Sequence, residues 1–116
     1  MSSIYMTDLK RATAISKTDE LYKYLNPKTA QKKAMEYLGN EAIIYKSNRQ
    51  SKKYMIVNPL TKKFVHFGTM KPAMEDYTKH TDDERRSRYR ARAENIRGQW
   101  REDPYSPNNL SIHILW

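Results

Sequence analysis

Residues 81–101 hold seven of the nine arginines and none of the thirteen lysines, and this segment limits the fold more than any other. Its local grammar is helical. Thr81 is an N-cap candidate, Glu84 three residues on completes a capping box, and Asp82 and Asp83 suit the positive end of a helix dipole. At about 100° per residue, Tyr89, Ala93, Ile96 and Trp100 fall in one narrow stripe. Arg85, Arg88 and Arg92 lie on one flank of that stripe, and Arg86, Arg90 and Arg97 on the other. Such a helix docks through few apolar residues and keeps two rows of guanidinium groups, the side chain best matched to phosphate oxygens. Asp82, Asp83, Glu84 and Glu94 are the acids within reach, so part of the run reads as a solvated, self-paired face. At least four of the arginines have no obvious local carboxylate.

A chain of 116 residues with 38% hydrophobic residues builds one domain with a modest core. Much of its apolar surface comes from nine tyrosines, two tryptophans and two phenylalanines. Tyrosine buries a ring but keeps a hydroxyl that needs a partner, which favours shallow cores and subunit contacts; a homodimer is therefore expected. The net charge of +9 raises the prior for a polyanionic partner, since positive potential steers phosphate-rich molecules. The excess is broad: residues 1–78 carry fourteen basic and seven acidic side chains. The absence of cysteine excludes disulfides, thiolate zinc sites and cysteine nucleophiles. No apolar run approaches the roughly 20 residues that span a bilayer, so no membrane association is expected.

The sequence predicts an α+β fold: N-terminal helices, a small three-stranded antiparallel sheet, a long arginine-rich helix and a short C-terminal element. Residues 1–16 show no sustained period and read as a mobile N-terminal arm, leaving residues 17–116 as a single α+β domain. Leu21, Tyr22 and Leu25 suggest a short turn entered through Thr18 and Asp19. The next helix is better marked, with Asn26 as cap, Pro27 in the first turn, Ala30, Ala34, Tyr37 and Leu38 on one face, and Gly39 as stop. Lys28, Lys32 and Lys33 then look outward. Runs at 42–47, 53–58 and 63–67 are short and rich in β-branched or aromatic residues. The second and third join through Asn58-Pro59-Leu60-Thr61-Lys62, where asparagine can bond its own backbone. Residues 70–79 read as a connector. Ser106 and Pro107 favour a final helix, whereas Ile112 and Ile114 alternate as in a strand.

The ordered series KKYMIVNP, KFVHFG, EDYTKH, DDERRSRYRARAEN, Trp100, DPYSP and ILW resembles an uncharacterised family of small basic proteins of nucleocytoplasmic large DNA viruses, including giant viruses of amoebae. The resemblance spans roughly residues 42–116 and brings no catalytic residues. It implies a viral origin, a virion location with the host cytoplasmic virus factory or nucleus as the other compartments, and contact with other virion proteins. After DPYSP the chain departs from the family's tryptophan-rich tail, which puts in doubt any role tied to that tail.

Three function classes follow. The first is a non-enzymatic DNA-binding or packaging protein in which Arg85, Arg86, Arg88, Arg90, Arg92 and Arg97, helped by Lys52, Lys53, Lys62 and Lys63, neutralise phosphates of double-stranded DNA with little sequence preference. If about five phosphates were engaged, log affinity would fall with log salt at a slope near −4.5. The second is a virion structural protein gripping acidic capsid or scaffold surfaces. The third comes from a likeness of Tyr54 to Asn58 and His66 to Gly68 to the opening hairpin of GIY-YIG endonucleases, with Tyr54 at the first tyrosine position, His66 at the second, Arg85 as a late arginine and Glu84 as a candidate carboxylate. No enzyme activity is expected from this match. No cofactor is expected, because Gly39, Gly68 and Gly98 fit no nucleotide fingerprint. No metal is expected either: Asp76 and His80 are four apart, but Pro72 and Thr81 mark that stretch as a connector. Tyr77 and Tyr89 read as core aromatics, and Trp100 and Trp116 as docking anchors.

Overall fold

The structure is a computed structural model that describes residues 9–116. The first helix, α1 (Pro27–Leu38), has the limits its sequence announces. The Asn26 side chain accepts the Thr29 N–H, Pro27 occupies the first turn, and Gly39 at φ 107° ends it. That angle is open to glycine and costly to other residues. Ala30 and Ala34 are fully buried, and their small side chains bring α1 close to the core. The preceding segment forms a 3-10 turn over Glu20–Lys23, with Asp19 accepting the Leu21 N–H.

The sheet is antiparallel in the order β1 (Tyr45–Lys46), β2 (Lys52–Asn58), β3 (Lys63–Thr69). Tyr54 stands opposite Phe67 and Ile56 opposite Val65. Residues alternate between faces along a strand, so Tyr54, Ile56, Val65 and Phe67 share one face, and they pack in the main core. The turn closes as expected, with the Asn58 side chain accepting the Leu60 N–H at 3.0 Å and its carbonyl accepting the Lys62 N–H at 2.8 Å.

β1 is shorter than the expected strand over 42–47 because α1 supplies the missing partners. Gln31 donates from Nε2 to the Ala42 carbonyl at 2.7 Å and accepts the Ile44 N–H at 3.0 Å. The rest of that edge is taken by the N-terminal segment. Ala12 donates its N–H to Ile44, Lys46 donates to Lys10, and Arg11 bridges Tyr45. Ala12 and Ile15 are buried. Within the arm expected over 1–16, residues 10–15 thus pair and pack against the domain; residues 1–8 lie outside the described residues. No local signal announces this, because hydrogen bonds to an edge strand leave no period in the bonding segment.

The helices α2 (Tyr77–His80) and α3 (Asp83–Glu94) meet at Thr81, and the cap shifts by one residue from its expected place. Thr81 takes a left-handed conformation, φ 54°, and ends α2, while Asp82 caps α3 by accepting the Glu84 and Arg85 N–H groups. The Thr81–Glu84 capping box is not formed. α3 stops at Glu94, where the Asn95 side chain donates to the Ala91 carbonyl and Asn108 to that of Ala93. Ile96 and Trp100 therefore leave the expected stripe: Ile96 is exposed, and Trp100 opens a 3-10 turn.

The final segment is helical, not a strand. Ser106 caps α4 (Pro107–Leu110), accepting the Asn109 N–H, and the chain continues as a π turn over Ser111–Leu115. Leu110, Ile112, Ile114, Leu115 and Trp116 are all buried. Trp116 lies flat on Tyr89, with centroids 4.2 Å apart and planes within 9°. Truncating Trp116 to alanine is expected to cost about 3–5 kcal/mol in denaturant unfolding. A loss below about 1 kcal/mol would show that the C-terminal turn is not part of the cooperative core.

Candidate functional site

The two arginine rows of α3 have different fates. Arg85, Arg88 and Arg92 line one surface depression of about 150 Å³ together with Met74 and Trp116. Arg88 and Arg92 are exposed and Arg85 is half-buried. Arg88 pairs with Glu84 at 2.9 Å, but both side chains are more than half exposed. Such a pair is worth a fraction of a kcal/mol and yields readily to a phosphate.

The second row is tied to the C-terminal turn. Arg86 donates from Nε to the Trp116 main-chain oxygen at 2.5 Å, and its guanidinium lies 4.8 Å over the Tyr77 ring. Arg90 donates to the Ile112 carbonyl at 3.4 Å. These bonds satisfy carbonyls at the end of a helical turn, where cations are favoured. Arg97 is exposed but follows the end of α3, so it joins neither row. Of the six arginines expected to act alike, three share a depression and two are held by the C-terminal turn.

The lysines are not gathered there either. Lys53 is 2% exposed and donates to Asp76 at 2.8 Å and to the Tyr24 carbonyl at 2.9 Å. Burial pushes its ammonium below the usual lysine range, with Asp76 pulling it back up. Lys53 is a structural cation, and its expected phosphate role is withdrawn. Lys62 and Lys63 are exposed at the hairpin turn. Six residues at about 3.3 Å each put that turn roughly 20 Å from the Thr69 end of the hairpin, and it is the Thr69 end that adjoins Arg92. Lys52 is half-buried at the near end, opposite Thr69.

A cavity of about 240 Å³ continues from the depression through Met74, Arg92 and Trp116, and reaches Thr69, Glu75 and the Lys53–Asp76 pair. Asp76 orders this region by accepting the Thr78 N–H at 2.9 Å and the Thr78 hydroxyl. Gly68, at φ 85°, forms part of the wall. A Cβ there would lie 3.0 Å from both Leu115 and Lys53. Sequence reasoning weighed Asp76 only as a metal ligand; its partner lies twenty-three residues away, and no local pattern announces it.

The nuclease-like constellation does not assemble. Tyr54 is fully buried with its hydroxyl unpartnered, and burial pushes the phenol well above its usual range. His66 neighbours Phe67, the residue opposite Tyr54, so it points to the other face of the sheet, where Nδ1 meets Ser47 Oγ at 2.7 Å. Glu84 is engaged with Arg88. Asp76 is engaged with Lys53 and Thr78, and His80 Nδ1 accepts the Asp82 N–H. Among the described residues, no group of three or more His, Asp or Glu side chains is placed to hold a metal, and no helix is long and apolar enough to cross a membrane.

The sheet, α2 and nearly all of α3 fall within a stretch that matches a family model. Residues 42–93 are similar to a family of unknown function, DUF5754. No curated protein and no solved structure matches the chain. The similarity takes in the row Arg85, Arg88 and Arg92 and the Lys53–Asp76 pair, and stops short of the C-terminal turn.

Two predictions follow from these charges. Lys53→Met leaves the Asp76 carboxylate buried without its cation and is expected to cost about 3–5 kcal/mol, while adding Asp76→Asn recovers much of that loss. Equal destabilisation by the single and double variants in urea unfolding would contradict the pairing. Second, His66, His80 and His113 are all held below the ordinary value of 6.5, burial being the largest cause in each. As pH falls through 6.5 the unfolded chain takes up protons first, so stability drops from there downward. A Tm that holds or rises between about pH 7 and pH 5.5 at fixed ionic strength would contradict this.

Proposed function

We propose that the protein is a non-enzymatic DNA-binding protein of a virus particle, which contacts duplex phosphates with little sequence preference through Arg85, Arg88 and Arg92. The observation that carries the reading is that these three arginines line one depression, which their three neighbours do not. Arginine forks match phosphate oxygens in a planar two-bond geometry, and the net charge of +9 steers a polyanion toward the surface. Three side chains on one helix flank follow a backbone and do not read base edges. The virion setting is supported by the motif series alone.

A salt-titrated fluorescence-anisotropy measurement with random-sequence duplex DNA tests the proposal. Three phosphate contacts give a slope of log affinity against log salt near −2.7, shallower than the −4.5 of five contacts. Replacing Arg85, Arg88 and Arg92 together by alanine is expected to flatten most of that slope and weaken binding by about tenfold or more. Failure of the correctly folded protein to bind duplex DNA at about 50 mM salt would overturn the reading and leave an acidic protein surface as the partner to test.

A further inference from the structure

α3 is basic on two flanks, and its outward crest is not. At about 100° per residue, Arg85, Arg88 and Arg92 occupy one arc, and Arg86 and Arg90 lie roughly 150° away across the buried side, beyond Tyr89 and Ala93. The remaining arc, facing solvent, holds Asp83, Glu84, Ser87, Ala91 and Glu94, all exposed. A duplex laid over the helix from outside would meet three carboxylates before reaching either basic row.

The second flank extends beyond α3. Lys33 of α1 places Nζ 5.8 Å over the same Tyr77 ring that holds Arg86. His113 of the π turn is exposed and stacks on Tyr37 at 4.3 Å. Arg90 keeps a buried Nε–H without an acceptor. The ion pairs among the described residues are Lys46–Asp19, Lys53–Asp76 and Arg88–Glu84, so none of these four cationic or protonatable groups has a described side-chain carboxylate within 4.0 Å. Arg86, Arg90 and Lys33 disfavour the charge of the groups beside them. Burial and then Arg86 and Arg90 lower the Lys33 ammonium, burial and then Arg90 and Lys33 lower His113, and burial and then Arg86 lower Arg90. The acids facing them, Glu36 and Asp76 toward Lys33 and Glu94 toward Arg90 and His113, offset this only in part. The Arg86 and Arg90 guanidiniums each spend one donor on a main-chain oxygen out of the five that the group carries. Such a cluster gains from a phosphate what it lacks in carboxylates.

We infer that Lys33, Arg86, Arg90 and His113 form a second phosphate-binding flank, separate from the Arg85–Arg88–Arg92 row, through which one copy of the chain joins two DNA segments. The inference rests on the DNA reading of the first row. The acidic crest keeps a single duplex from occupying both flanks, so bridging follows from one subunit without a second copy.

The test is capture of a fluorescent random-sequence duplex by a second, immobilised duplex in the presence of the protein, at concentrations where sedimentation shows a monomer. Wild type is expected to be retained and to capture the fluorescent duplex. Lys33→Gln/His113→Gln, with an unchanged circular dichroism spectrum, is expected to lose capture by about fivefold or more while its affinity for a single duplex changes less than about threefold. Lys62→Gln/Lys63→Gln, with a larger loss of charge at the distant hairpin turn, is expected to capture as wild type does. Wild type that is retained but captures nothing, capture that persists in the Lys33/His113 variant, or capture only where dimers form would each overturn the second flank and leave the first row standing. Wild type that the immobilised duplex does not retain would overturn the DNA reading itself.

Discussion

The Tyr89–Trp116 stack, closed by the Arg86 N–H on the Trp116 main-chain oxygen, is the contact on which the arrangement of this protein depends. α3 has little of its own to bury: Ala93 is its one fully buried residue, and Tyr89 is half-buried. A helix so polar is marginal alone and takes its stability from what it packs against. Aromatic stacking adds about 0.5–1.5 kcal/mol beyond area burial, and a hydrogen bond from a charged donor about 1.5–3 kcal/mol. Together they fix the rotation of α3 about its axis. That rotation decides which arginines face the C-terminal turn and which line the depression beside Met74.

The Lys53–Asp76 pair does a different job. Both side chains are 2% exposed, so the pair has surrendered most of its hydration, and its net contribution to stability is small or unfavourable compared with apolar residues of the same shape. Its geometry sets the path of the chain from β3 into α2. Lys53 holds Asp76 against the sheet and Tyr24 against both, and Asp76 in turn begins α2 by accepting the Thr78 N–H. The connector that carries Met74 and Glu75 is thereby placed against α3. Gly68 serves the same region, since a side chain there would strike Lys53 and Leu115.

The elements that were legible in the sequence are those whose signals are local. Asn26, Pro27 and Gly39 bound α1, Asn58 shapes the hairpin turn and Ser106 starts α4, because each acts on backbone groups within four residues. The fold class followed from these and from the strand runs. What sequence reading missed was settled by distant partners. Arg86 and Arg90 look identical to Arg85 and Arg88 in the sequence, and only carbonyls twenty-two to thirty residues away separate them. Lys53 reads as one more surface lysine until Asp76 is placed beside it. Residues 10–15 carry no period because their order comes from hydrogen bonds to an edge strand. The shift of the α3 cap from Thr81 to Asp82 is smaller but of the same kind, since the left-handed turn at Thr81 answers to the end of α2 as well as to the start of α3. The candidate site was thus legible as a helix and a charge, and not as a choice among arginines.

The division of labour between the rows is the central claim, and it can be measured without any ligand. Hydrogen exchange at the arginine Nε–H groups, followed by nitrogen-15 NMR of the side chains, reads each guanidinium separately. The account predicts that the Nε–H of Arg86, held by the Trp116 main-chain oxygen, and that of Arg90, which is buried, exchange much more slowly than those of Arg88 and Arg92, which are open to solvent. Equal, fast exchange at all four would contradict it, because the two rows would then be equally free and the C-terminal turn would not hold the helix.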